Sequence, residues 1–178
     1  MILSELAEGT VAYRAHDPKW AIAPTSGAGA ARAGGRFNQP GIEALYLSLE
    51  DVTALREYQQ TSPLLPPCTI CSYKVTVSSV VDVRQLHKGP PWDPLWLDWP
   101  TDWRHFAFDL HIEPPSWVLG DIVRRAGHGG IVFPSLASPG GTNVALFPDL
   151  FSASDLIEAY DLEHRLPKDQ SSWFPADE

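Results

Sequence analysis

Residues 87–115 hold six prolines and four tryptophans, and a fifth tryptophan, Trp117, lies just beyond them. Proline lacks the backbone N–H that a helix interior or an inner strand needs. A long helix and a central strand are therefore both excluded from this stretch, and the regular structure must come from the chain on either side. The stretch reads as an ordered excursion packed by its own aromatic rings, with room for a short helix near residues 102–108. It either rims a cleft, holds a partner, or forms a satellite hydrophobic cluster under a long loop.

The flanks carry short strand and helix signals separated by turn residues. Residues 11–15 predict a first strand ending in Tyr13-Arg14, and residues 16–35 predict a Gly/Ala-rich loop. Residues 44–48 predict a second strand by composition and by the turn signals around them. A helix is expected over 52–60, opened by Glu50 and Asp51, whose charges suit a helix N-terminus. Residues 69–83, rich in β-branched side chains, predict one or two strands. A helix follows over 116–126, with Ser116 as its cap and Gly127 as its end. Strands are expected over 130–135 and 143–147, with a tight Gly-Gly loop between them. Residues 152–160 fit a helix or a strand, and the polar tail over 167–178 is expected to fray. The sum is a mixed α+β fold, read as one domain over residues 1–178 with its core over 11–150.

Composition narrows the function classes. The chain of 178 residues is 44% hydrophobic, ample for a core, and its net charge of −9 repels phosphate backbones and anionic lipid. Nucleic acid and membrane surfaces are thus not expected as partners, whereas a basic protein is. No run approaches the roughly 20 apolar residues of a membrane helix. The first nine residues carry Glu5 and Glu8 and no basic residue, unlike a signal peptide, so a cytoplasmic location is expected. Cys68 and Cys71 stand alone as a Cys-x-x-Cys pair after two prolines and before a β-rich run, which reads as two reduced cysteines at a strand start. The six histidines are scattered with no metal-binding spacing, so no metal is expected.

Several residues have chemical potential, and each taken alone has an ordinary reading. Gly34-Gly35-Arg36-Phe37-Asn38 is either a nucleotide clamp, with a guanidinium fork suited to phosphate, or a glycine turn with a surface arginine. Arg14 is a strand-end charge. Glu57 lies in the helix after Tyr46, and Tyr46 alternates with Leu45 and Leu47, so it is either core or a pocket wall. Ser135 follows a strand but lacks a nucleophile elbow, which favours hydrogen bonding over acylation. Asn143 follows shortly after.

Their order is more telling than any one of them. Tyr13-Arg14, Gly34-Gly-Arg-Phe-Asn38, Gly41, Ala44-Leu-Tyr-Leu-Ser48, Ala54-Leu-Arg-Glu-Tyr58, Gly130-Ile-Val-Phe-Pro-Ser135 and Asn143-Val-Ala-Leu-Phe147 together resemble the RES family, named for an Arg, a Glu and a Ser. The resemblance covers roughly residues 11–150. It implies a toxin paired with an Xre-like antitoxin that blocks its cleft. It implies a fold related to the ADP-ribosyltransferases, two small mixed or antiparallel sheets forming a cleft with flanking helices. It implies NAD+ as substrate, with Glu57, Arg14 and Tyr46 as the catalytic set and Arg14, Arg36, Tyr46, Gly35, Ser135 and Asn143 as the binding set. The arginines would hold the phosphates, Tyr46 would line the nicotinamide side, and Ser135 would shape the pocket. The implied reaction moves ADP-ribose to a protein, phosphoribosyl pyrophosphate synthetase being one acceptor linked to the family. Glycohydrolysis or phosphorolysis of NAD+, and a binding module without catalysis, are the alternatives.

Overall fold

A computed structural model describes residues 1–89 and 92–171. Among the described residues there are six strands: β1 (Leu3–His16), β2 (Leu45–Ser48), β3 (Thr69–Asp82), β4 (Gly130–Pro134), β5 (Thr142–Leu146) and β6 (Leu156–Ala159). Also among the described residues are three α-helices: α1 (Ala28–Ala33), α2 (Asp51–Gln59) and α3 (Pro115–Arg125). The strands form one sheet in the order β1-β2-β5-β4-β3-β6, and β1 also pairs with β3. That extra pairing closes β1, β2, β5, β4 and β3 into a five-stranded barrel, leaving β6 beside β3.

The expectation of two small sheets is therefore corrected to a single closed one. The reason is the length of β1 and β3, fourteen residues each, which pair antiparallel from Leu3 opposite Val81 to His16 opposite Thr69. Near its end β1 also reaches β2, with Tyr13 opposite Ser48. β1 thus pairs with both β2 and β3. The predicted start of β1 at Val11 is late for a local reason. Glu8 and Gly9 break the apolar alternation, but the register shifts between Leu6 and Thr10 and Gly9 takes a φ of +86°, so the strand continues through a bulge. Among the described strands only the β3–β4 pair is parallel, with Val81 opposite Ile131.

Alternation along the strands sorts side chains into two apolar clusters. One collects Leu45, Leu47, Tyr73, Val75, Val77, Val132, Val144 and Leu146. The other collects Val81, Ile131, Phe133, Ala145 and Phe147, and covers them with Leu119 and Val123 of α3 and with Trp96 and Trp99. The proline-rich excursion is thus packed onto the sheet as well as onto itself. Trp96 meets Trp92 edge-on at 5.0 Å and Trp99 meets Phe133 at 5.8 Å. Burial of each such ring contributes roughly 2–3 kcal/mol. Where a short helix was expected, the chain makes a π-helical turn, His105–Asp109. Pro90 and Pro91 of the excursion, and residues 172–178 of the expected frayed tail, lie outside the described residues.

Two local expectations differ. Helix α1 occupies part of the predicted loop, ending at Gly34, which takes a φ of +78°. Ser116 does not cap α3: Pro114 occupies the capping position, and the Ser116 hydroxyl is buried without a partner among the described residues. Gly127 does end α3, at a φ of +79°. The open choice at residues 152–160 resolves as strand β6, paired antiparallel with β3.

Candidate functional site

A cavity of about 670 Å³ opens where the ends of β1 and β2 meet α2, the Gly34–Gly35 turn and the excursion. Its wall includes Arg14, Gly35, Arg36, Tyr46, Glu57 and Asn143. Six of the seven site residues named from sequence therefore share one space, and the seventh, Ser135, stands directly behind Glu57.

Glu57 comes from the inner face of α2. Thr53 and Ala54 are buried on that helix, and Glu57 follows them at spacings of four and three. The helix start is pinned by Glu50, whose Oε2 accepts from the Thr53 hydroxyl at 2.8 Å and from the Thr142 amide at 2.9 Å. Glu57 Oε1 then accepts from Ser135 Oγ at 2.7 Å and from Asn143 Nδ2. Each donor is itself oriented. Ser135 Oγ accepts the amides of Ala137 and Ser138, which turns its own proton toward Glu57. Asn143 sits opposite Ser48 across the β2–β5 pair, and Ser48 Oγ donates to Asn143 Oδ1 at 2.8 Å, so the amide nitrogen faces Glu57. Ser48, Ser135 and Asn143 are all buried. The carboxylate is held by side chains whose own rotamers are fixed.

The glycine turn has a different logic. Tyr46 Oη accepts from the Phe37 amide and donates to Asn38 Oδ1, both at 2.8 Å. Asn38 Nδ2 in turn donates to the carbonyls of Ala30 and Ile42. Gly35 is needed because a Cβ there would lie 2.5 Å from both Tyr46 Oη and Asn38 Oδ1. Its backbone is spent internally: its N–H donates to Asn38 O at 2.9 Å and its carbonyl accepts from Trp117 Nε1 at 2.7 Å. Gly35 thus lines the cavity by being small, and its own amide is used inside the turn. Burial raises the Tyr46 phenol well above its ordinary value, so it stays protonated and its ring is what faces the cavity.

The arginines are held by main-chain carbonyls. Arg14 Nη1 donates to Pro24 O at 3.2 Å and to Ser26 O at 3.0 Å. Tyr73 Oη donates to the same Pro24 carbonyl. Arg36 Nη1 donates to Trp99 O at 3.2 Å and to Thr101 O at 2.9 Å, reaching across to the excursion. Burial lowers the pKa of both below the ordinary value, partly offset at Arg36 by the Glu57 charge and at Arg14 by Tyr73. Both remain cations. The excursion also puts Trp103 and Arg104 on the cavity wall. Neither is marked in the sequence, because a proline-rich stretch has no periodicity to show which side chain turns inward. Asn38 and Ser48 lie within the Gly-Gly-Arg-Phe-Asn and Ala-Leu-Tyr-Leu-Ser motifs, and the structure gives them their roles as partners of Tyr46 and Asn143.

The cavity is lined by one carboxylate held in place and by guanidinium groups, a combination suited to a ligand that carries phosphates. The chain belongs to the RES family: the model of the RES domain matches residues 11–169, a span that includes β6. Among curated proteins no sequence matches it. Among solved structures it is similar to a chain of the crystal structure of the M. tuberculosis MbcT–MbcA toxin–antitoxin complex. The identity is 16%, the match covers 88% of this chain and 84% of that one, and the TM-score is 0.59, a likeness of fold. Among the described residues no group of three or more His, Cys, Asp or Glu is placed to hold a metal ion, and no helix is long and apolar enough to cross a membrane.

Proposed function

We propose that this chain is the toxin of a toxin–antitoxin pair, acts in the cytoplasm, and uses NAD+ as its substrate, moving ADP-ribose to a protein. The observation that carries the reading is the convergence of Arg14, Arg36 and Glu57 on one cavity from three separate parts of the chain. The fit is chemical. A pyrophosphate carries two negative charges, which two guanidinium groups match. A cavity of about 670 Å³ lies within the roughly 300–1,000 Å³ common for small-molecule sites.

Breaking the nicotinamide–ribose bond sends its electron pair to the departing nicotinamide nitrogen and leaves positive charge on the ribose, as in glycoside hydrolysis. Glu57 is built to meet such charge: its donors fix one oxygen and orient the group in advance. Arg14 and Arg36 hold the remote phosphates, so binding energy there positions the reacting bond. Tyr46 supplies a ring wall for the nicotinamide and, through Asn38, holds the turn that carries Arg36. A relation to the ADP-ribosyltransferases and phosphoribosyl pyrophosphate synthetase as acceptor follow from the family resemblance, as does an Xre-like antitoxin that closes the cleft. The toxin–antitoxin complex among similar structures supports the pairing.

A second reading, glycohydrolysis or phosphorolysis of NAD+, is favoured by the exposure of Gln60, Thr61 and Arg104 on the cavity wall, where water or phosphate has access. One experiment separates these. Purified protein is incubated with labelled NAD+, alone, with phosphate and with lysate, and free nicotinamide and protein-bound label are followed. Nicotinamide release with one labelled protein band is expected. Release without a band replaces transfer with hydrolysis or phosphorolysis, and no release under any condition sinks the NAD+ reading.

A further inference from the structure

Among the described residues lining the cavity, Arg104 is the one cation that no sequence motif marks, and its surroundings are peculiar. Its guanidinium lies over the Trp103 ring at 4.5 Å. Trp103 is buried, 5% exposed, and braced by Phe108 at 5.8 Å and Trp117 at 6.3 Å. A flat guanidinium on a fixed indole keeps its N–H edges directed outward while its face is engaged. Among the described residues Arg104 forms no ion pair. Its nearest carboxylate in sequence, Asp102, accepts the backbone amides of Arg104 and His105 instead.

The charge balance is the second observation. Among the described residues, three guanidinium groups, Arg14, Arg36 and Arg104, line the cavity against one carboxylate, that of Glu57. This local excess stands in a chain of net charge −9. Arg104 also opposes the charge of Arg36, a repulsion that folding leaves in place. Arg36 and Arg104 are coupled mechanically too, because Arg36 grips the Trp99 and Thr101 carbonyls a few residues before Arg104. Glu57 and Asp102 offset part of the charge at Arg36, but three guanidinium groups against one lining carboxylate still favour an anion that enters between them.

We propose that Arg104 is a third anion-binding residue of this cavity and contacts a phosphate group of the ligand. The inference rests on the NAD+ reading for the ligand's identity, but not for its charge. The phosphate belongs either to the pyrophosphate of the dinucleotide or to a free phosphate ion. The excursion then has a function beyond packing: it delivers one phosphate-binding guanidinium and anchors another.

The test uses the full-length chain and the variants Arg104→Gln, Arg104→Lys and, as a charge-matched control outside the cavity, Arg125→Gln. Binding of inorganic pyrophosphate and of inorganic phosphate is measured by calorimetry, with melting temperature as the check on folding. Arg104→Gln is expected to weaken pyrophosphate binding about tenfold, the worth of a single charge-assisted contact. Arg104→Lys is expected to recover part of the loss, and Arg125→Gln to bind as the parent does. Competition by NAD+ assigns the contact to the dinucleotide. An effect confined to orthophosphate assigns it to the free ion. Equal binding by Arg104→Gln and the parent, or no binding of either anion by the parent, overturns the proposal. A parent that binds pyrophosphate through Arg104 yet consumes no NAD+ leaves the anion site standing and removes the NAD+ reading alone.

Discussion

The two walls of the cavity are built by different means. On the Glu57 wall, helix α2, the residue that follows β4 and strand β5, separated by up to 86 residues, supply a carboxylate and its donors, and each donor is fixed by a further side chain or amide. On the arginine wall, Arg14 and Arg36 are held by carbonyls of irregular backbone, the 24–26 loop and the 99–101 segment. Side-chain networks between regular elements fix an atom closely. Carbonyls of loops fix it only as well as the loop itself is fixed. The difference suits the proposed chemistry, since the reacting carbon needs the accurate wall and a pyrophosphate, with many equivalent oxygens, tolerates the looser one.

The largest effect should separate the walls outright. Glu57→Gln keeps an oxygen able to accept from Ser135 and Asn143, so the network and the fold persist, with Tm changed by no more than about 2 °C. It removes the charge aimed at the ribose, and nicotinamide release should fall by about 10²–10³-fold, as when a preorganised electrostatic group is lost. A variant with near-parental release would show that this wall orients nothing of consequence.

The second effect inverts that pattern. Gly35→Ala puts a methyl group 2.5 Å from Tyr46 Oη and Asn38 Oδ1, both tied in hydrogen bonds and unable to yield cheaply. Overpacking of this kind costs about 1–3 kcal/mol, which in a domain of this size lowers Tm by roughly 3–10 °C. Denaturant or thermal unfolding reads it directly. An unchanged Tm would mean that the turn shifts freely, and that Tyr46 does not hold the arginine wall in place.

What the sequence disclosed follows the same division. Glu57, Ser135 and Asn143 stand on or beside elements whose periodicity predicts them, so their elements were legible at α2, β4 and β5. Their convergence came from the resemblance in motif order, because no local spacing links residues 57 and 135. The barrel was not legible. Its closure depends on β1 pairing with β3 across some sixty residues, and Gly9 hides the first half of β1 behind a bulge. Nor were Trp103 and Arg104 legible. Prolines exclude structure more readily than they specify it, so which side chains of the excursion face the cavity is decided by Trp96 and Trp99 docking on the sheet.

The smallest effect probes what lies behind the arginine wall. His16 follows Arg14 by two residues on β1 and shares its face; it is 7% exposed, with Nε2 3.4 Å from Cys71 Sγ. Burial, and then the Arg14 charge, push its pKa down to about 4, while Asp17 acts weakly the other way. The folded protein therefore keeps His16 neutral down to about pH 4, whereas the unfolded chain takes up a proton near pH 6.5. Above the unfolded value both states are neutral and His16 adds no pH dependence. Between the two values the unfolded state binds more protons, so stability falls as pH falls, and below the folded value the loss levels off. Between about pH 7 and about pH 5.5 the parent should lose about 1 kcal/mol, read as a lower Tm, and His16→Gln should flatten that part of the profile. A parent whose Tm holds steady across the interval would mean that His16 accepts a proton beside Arg14 without penalty, and that this wall is far more open to water than its burial describes.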